Sequence, residues 1–207
     1  MENTARKDRK LNLALTIKKK TKSKKQLQKE IIQFLNAASS KKGTSKKPGC
    51  PLRHGFACVL ATVHEKTPRA TPVDFFNDGL TIWIAGEPGL KIRNIRECPA
   101  VAVGIYHPMD HSKHNRSLQI LGTARLINYM HHRSTFMARL KKIGVYDAAK
   151  KIIREMLQAK KLPVKDLDAE VVNALRRFNL IRIDPQEITF LSIHPIRGAT
   201  KDIWRKK

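Results

Sequence analysis

Between Gly55 and Leu126 the chain runs through five short apolar stretches, each closed by turn chemistry, and this leaves few ways to fold. The first, Phe56 to Val63, is almost wholly apolar, as in a strand covered on both faces. Glu65-Lys66-Thr67-Pro68 connects it to a return strand over Arg69 to Phe76. Asn77-Asp78-Gly79 is a tight-turn signal, because glycine supplies the positive φ that such turns require. Leu80 to Ala85 is a third strand, and Gly86-Glu87-Pro88-Gly89 breaks it. One or two helical turns over Lys91 to Glu97 end at Pro99. Ala100 to Tyr106 and Ser117 to Asn128 complete the set, with Gly122 at an expected bend. Short strands alternating with turns predict a small antiparallel barrel.

The flanks carry different signals. Residues 1–49 hold fifteen Lys and Arg against three acids, nearly half of the net charge of +25. Such a segment repels itself and buries little, so a basic N-terminal extension without fixed structure is expected over most of it. Leu27, Ile31, Phe34 and Leu35 are spaced for one face of an amphipathic helix over 26–38. That helix has two readings: it packs on the barrel, or it docks to a partner such as nucleic acid. Ser39 to Gly49 has linker composition.

After the barrel the period becomes helical. Phe136, Leu140 and Ile143 mark one helix ended by Gly144, and Ala148 to Leu157 mark a second. A third, with Asp168 as its expected N-cap, runs through Val171, Val172, Leu175 and Phe178. These stripes are expected to pack on the barrel as a helical insertion over 130–178. Leu180–Ile183 and Glu187–Ile193 read as two strands turned at Asp184-Pro185, and the tail from His194 shows no periodic element. The expected organisation is a barrel domain over 50–207 behind the basic extension.

Cys50, Cys58 and Cys98 are odd in number and lack Cys-x-x-Cys spacing, which argues against a disulfide framework or zinc site and for a reducing, cytoplasmic setting. No apolar run nears the roughly 20 residues of a membrane span. Walker, nucleophile-elbow, zincin and dinucleotide fingerprints are all missing. Carboxylates before Lys91 are too few for paired-carboxylate hydrolysis. His107, His111 and His114 share one loop that could be a metal or haem site but reads more simply as solvated. What remains is cationic: Arg69 opens the second strand, Thr71 adds a hydroxyl, and Lys91 with Arg93 sits just after the Gly-rich break, at the start of a short helix. Together they could hold the phosphate of a planar ligand.

The order Leu60-Ala61-Thr62-Val63, Arg69-Ala70-Thr71-Pro72-Val73, Leu80-Thr81-Ile82-Trp83-Ile84-Ala85, Lys91-x-x-Asn94-Ile95-x-x-x-Pro99 and Leu121-Gly122-Thr123-Ala124 resembles the pyridoxamine 5′-phosphate oxidase-like flavoproteins. The resemblance implies an α+β fold: an antiparallel split β-barrel with peripheral helices that binds FMN at a homodimer interface. It implies that Arg69, Ala70, Thr71, Pro72 and Val73 line the flavin and its phosphate, and that Ile84 and Ala85 sit against the cofactor. Lys91, with Leu90 beside it, takes the phosphate-contacting position, and Ser117 takes that of a polar contact from the other subunit. No catalytic residue is implied. Two departures stand out: there is no Arg-Leu-His substrate segment, and Asp74 occupies a position that is often basic. Vitamin B6 oxidation is therefore not the expected reaction. The leading expectation is an FMN-dependent oxidoreductase acting on a small redox substrate. The alternatives are nucleic-acid binding through residues 1–49 and haem binding on the same barrel.

Overall fold

The structure, a computed structural model, describes residues 22–39, 41–42, 52–53, 56–107, 113–161 and 166–207. Most of the basic extension, Cys50, Gly55 and His111 lie outside the described residues. In chain order the elements are α1 (Lys24–Ala38), β1 (Lys41–Lys42), β2 (Leu52–Arg53), β3 (Ala57–His64), β4 (Thr67–Pro72), β5 (Phe76–Asp78) and β6 (Thr81–Gly86). There follow α2 (Leu90–Glu97), β7 (Ala100–Tyr106), β8 (Asn115–Asn128), α3 (Tyr129–Lys142), α4 (Val145–Ala159), α5 (Leu167–Leu175), β9 (Asn179–His194) and β10 (Gly198–Arg205). β1 and β2 pair only with each other. The other eight strands form one antiparallel sheet in the order β4-β3-β7-β8-β9-β6-β5, with β10 on the second half of β9. The chain is thus an α+β split barrel with peripheral helices, as the resemblance implied.

Two long strands make the split. β9 gives its first half to β6 and its second half to β10, while β8 runs along nearly its whole length. The break expected at Asp184-Pro185 is instead a bulge inside one continuous strand. Leu121 pairs with Glu187 and Gly122 with Pro185, so Gln186 is left over. Proline is tolerated there because a bulge position need not donate to the ladder. Gly122 is required by the same crossing: a Cβ on it would lie 2.7 Å from the Asp184 carbonyl oxygen. That oxygen is backbone and cannot swing aside. Gly122→Ala is expected to cost about 1–3 kcal/mol by overpacking, read as a lower denaturant midpoint; an unchanged midpoint would mean that the two strands can part there freely.

Further departures follow from pairing. The return strand stops at Pro72, and Phe76–Asp78 belongs to a separate hairpin with β6, turned at Gly79 with φ 60°. The tail is not irregular: Gly198 to Arg205 form β10, held in register along β9 with Trp204 buried next to its end. The N-cap of α5 is Asp166, whose carboxylate accepts from the N–H groups of Asp168 and Ala169. Asp168 instead accepts from Tyr146 Oη at 2.8 Å and from Lys150.

Two apolar clusters result. One fills the barrel with Leu60, Ile84, Ile105, Leu118, Ile120 and Phe190. α1 belongs to it: Leu27, Ile31, Phe34, Leu35 and Ala38 are buried, and Phe34 meets the rings of Phe56 and Phe190 at 5.7 Å. Ser23 caps this helix, and Lys22 ties it to β10 through Asp202 at 3.3 Å. Of the two readings of the helix, the structure supports packing on the barrel. The second cluster lies on the other face of β6, where Phe76 and Trp83 meet Phe136, Leu140, Val171 and Leu175 from α3 and α5. The stripes of α3 and α5 therefore cover the barrel, whereas α4 packs on those two helices and leaves Ile152 and Met156 of its stripe exposed. Among the described residues no helix is long and apolar enough to cross a membrane.

Candidate cofactor site

α2 decides the geometry of the site. It lies along β3, held by a buried hydrogen bond from Asn94 Nδ2 to Thr62 Oγ1 at 3.1 Å and, one turn on, by His64 Nδ1 against Glu97 Oε2. Thr62 stands directly across the β3–β4 ladder from Arg69, and Leu60 across from Thr71. Opposed residues in an antiparallel pair share a face, so Arg69 and Thr71 stand on the face that α2 covers. Lys91 lies one turn before Asn94 on the same side of the helix. Lys91 is therefore carried by the helix that covers the face of β4 bearing Arg69 and Thr71, and the three come from separate stretches of sequence.

Two local features suit an anionic ligand there. The Thr71 hydroxyl is buried and has no hydrogen-bond partner among the described residues, which costs roughly 1–3 kcal/mol unless something else bonds it. The Lys91 side chain crosses above Gly86, where a Cβ would come within 3.0 Å of its Cε. A larger residue at position 86 would push the amine aside. β4 is also an edge strand, pairing among the described residues only with β3, so alternate backbone N–H groups are available to a ligand.

The remaining candidates are distributed differently. Ala70 and Pro72 are exposed on the opposite face of β4, and Val73 packs against the barrel core with its N–H on the Cys58 carbonyl at 3.0 Å. Ile84 is wholly buried in the barrel, while Ala85 faces the helical cluster. The two cannot present side chains to one ligand, because neighbours on a strand point to opposite faces. This corrects the expectation that both sit against the cofactor: Ile84 could reach it only through its backbone. Leu90 is exposed at the start of α2. Ser117 pairs with Tyr106, three strands and about 16 Å along the strands from the Arg69 row. Within one chain it is not part of this site. Asn94, Thr62 and Gly86 were not singled out from sequence. Gly86 had a visible signal in the turn it begins, whereas the Asn94–Thr62 bond joins residues 32 apart.

The nucleophile inventory is short. Burial, with Asp74 nearby, pushes the Cys58 thiol up to about 12, so it stays protonated at neutral pH. His107 meets Phe56 edge-on, and His114 Nε2 lies 2.6 Å from Ser192 Oγ. Burial, reinforced by Arg116, lowers the His114 pKa. Among the described residues no three His, Cys, Asp or Glu side chains gather as a metal cluster.

A sequence profile of the pyridoxamine 5′-phosphate oxidase family matches residues 52–192, about two thirds of the chain and all of the barrel except β10. The chain belongs to that family. Among solved structures, a pyridoxamine 5′-phosphate oxidase-related, FMN binding protein from Nostoc punctiforme shares the fold at 15% identity and a TM-score of 0.54, over 73% of this chain and 82% of that one. PhzG from Burkholderia lata 383, solved in complex with tetrahydrophenazine-1-carboxylic acid, gives 17% identity and a TM-score of 0.50 over 73% of this chain and 77% of that one. No protein with curated function matches significantly in sequence.

Proposed function

We propose that this family member binds FMN at the β4 edge and serves as an FMN-dependent oxidoreductase for a small redox substrate. The observation that carries the reading is the Thr71 hydroxyl, buried and unpartnered among the described residues, on the face of an edge strand that also bears Arg69 and that the helix of Lys91 covers. Arg69 and Lys91 clamp the phosphate, the arginine as a bidentate fork and the lysine as a point charge. Thr71 donates its hydroxyl to the same ligand, and free backbone N–H groups of β4 face the ring edge. Bound FMN would supply hydride or electron transfer, while this chain's residues bind, orient and exclude water.

The functional unit in this reading is a homodimer. Ala70, Ala61, Ala102 and Leu121 stand side by side across four strands on the outward face of the sheet, and Leu121 is 53% exposed. A row of small and apolar side chains open to solvent suits a flat self-complementary contact. Ser117 and Tyr106 lie on the same face, so a two-fold partner is what could bring a second Ser117 to this chain's flavin.

Titrating the full-length protein with FMN and following flavin fluorescence tests the reading. Saturable quenching, with a mass of two chains in solution, is expected, and Leu121→Glu is expected to lower both. A colourless protein that leaves FMN fluorescence unchanged at every concentration refutes it.

A further inference from the structure

A second cationic feature lies on the far side of α2 and is not used by the flavin reading. A cavity of about 400 Å³ opens between α2, the start of α3 and the segment joining α5 to β9. Arg93 and Arg96 line it from α2, Arg176 and Arg177 from the end of α5, and His131 from α3. No carboxylate lines it, and none of the four arginines is in an ion pair among the described residues. Three other arginines do have a carboxylate partner: Arg139 bonds Asp78, Arg182 bonds Asp184, and Arg205 bonds Glu187. Four unneutralised guanidiniums around one hollow repel one another, and the arrangement is relieved when an anion sits among them.

The other lining groups define the ligand further. Asn128 gives its amide oxygen to the His131 N–H at 2.9 Å, which leaves its NH₂ as a donor. The first turn of α2 opens on the cavity with no side-chain cap and no acid, so its positive dipole end adds to the field. Phe178, Ile92 and the largely exposed Met130 supply an apolar wall. Lys91 does not line the cavity and lies two positions before Arg93, roughly 200° around the helix, so the cavity and the proposed phosphate clamp use different faces of α2.

We infer that this cavity is a second ligand site, for a small molecule bearing two or more phosphate groups and an apolar or ring portion. The forked arginine donors and Asn128 hold the phosphates, and Phe178 with Met130 covers the rest. A volume of about 400 Å³ lies in the range of small-molecule clefts, which begins at roughly 300 Å³. A track for single-stranded nucleic acid would instead need an extended groove with several stacking aromatics, and Phe178 is the one aromatic lining residue here.

The test is a calorimetric titration of the FMN-saturated full chain with ATP as probe, repeated with inorganic pyrophosphate and with a single-stranded oligonucleotide. ATP is expected to bind saturably, and the Arg176→Glu/Arg177→Glu pair to weaken it by roughly tenfold or more, as loss of charged hydrogen bonds predicts. The charge-matched pair Lys201→Glu/Lys207→Glu, away from the cavity, is expected to leave it within about twofold. Flavin absorbance and melting report whether the variants fold; if the glutamates disrupt folding, Arg93→Gln/Arg96→Gln replaces them. Absence of ATP binding overturns the inference, as does an equal loss in the charge-matched pair. So does an oligonucleotide that depends on Arg176 and Arg177 while ATP does not bind. Failure of the flavin reading is separate, since ATP titration of a protein that takes no FMN still reads this cavity.

Discussion

Lys91→Ala is expected to weaken FMN binding by about 10- to 100-fold, equivalent to about 1.5–3 kcal/mol for a charge-assisted contact to phosphate. The lysine is half-buried, reaches over Gly86 and shares a helix face with Asn94, whose bond to Thr62 fixes α2 on β3. Its stem is therefore partly confined over Gly86 before the ligand arrives, which lowers the side-chain entropy lost on binding. Riboflavin, which lacks the phosphate, should bind the wild type and Lys91→Ala with similar affinity. That contrast assigns the loss to the phosphate rather than to the ring. Gly86→Ala should act in the same direction and less strongly, because the new methyl displaces only the flexible end of Lys91. Melting should change little, since Lys91 holds no ion pair among the described residues. Fluorescence titration of the three variants is the measurement. An FMN dissociation constant unchanged by Lys91→Ala would remove the lysine from the phosphate clamp.

Leu35→Ala should be the most destabilising single truncation in α1, at about 2–5 kcal/mol for a buried leucine replaced in a close-packed core. Leu35 has no exposed surface and sits in the barrel cluster beside Ile31 and Phe34. The helix bridges separate parts of the barrel: Gln28 accepts from Trp204 Nε1 on β10, and Asn36 accepts from Asn77 on β5. Opening a cavity there loosens both attachments. Lys29→Ala, on the exposed side of the same helix, should stay within about 0.5 kcal/mol. Urea denaturation of the two variants separates a core helix from a surface recognition helix. Equal and small effects would mean that α1 docks without contributing to the core.

Most of the barrel was legible because its signals are local. The turn at Asn77-Asp78-Gly79, the apolar stretch from Leu80 to Ala85 and the run from Phe56 to Val63 need no partner to be recognised. Helix α1 was legible for the same reason, since one face of Leu27, Ile31, Phe34 and Leu35 repeats at helical spacing. Less of the site could be read. Arg69, Thr71, Lys91 and Arg93 were singled out as cations and a hydroxyl able to hold phosphate, but residue order cannot tell which of them share a face of the fold. Ile84 and Ala85 were grouped by the family resemblance although they point to opposite sides of β6. Arg96, Arg176 and Arg177 around the second cavity gave no signal, because Arg96 and Arg176 are 80 positions apart and exposed arginines are ordinary.

Local chemistry was enough to set where the chain turns, which stretches extend and which face of each helix is greasy, because these depend on neighbours a few positions away. Long-range contact alone decided that β9 stays one strand through Pro185, that the tail becomes β10, and that the helix of Lys91 lies along β3. A bulge needs the strand opposite it, and a tail with no period of its own becomes a strand only by pairing with β9. The proposed site depends on the second kind of determination. Its parts are written in three separate segments, and the Asn94–Thr62 bond and the β3–β4 register set α2 over the face of Arg69 and Thr71.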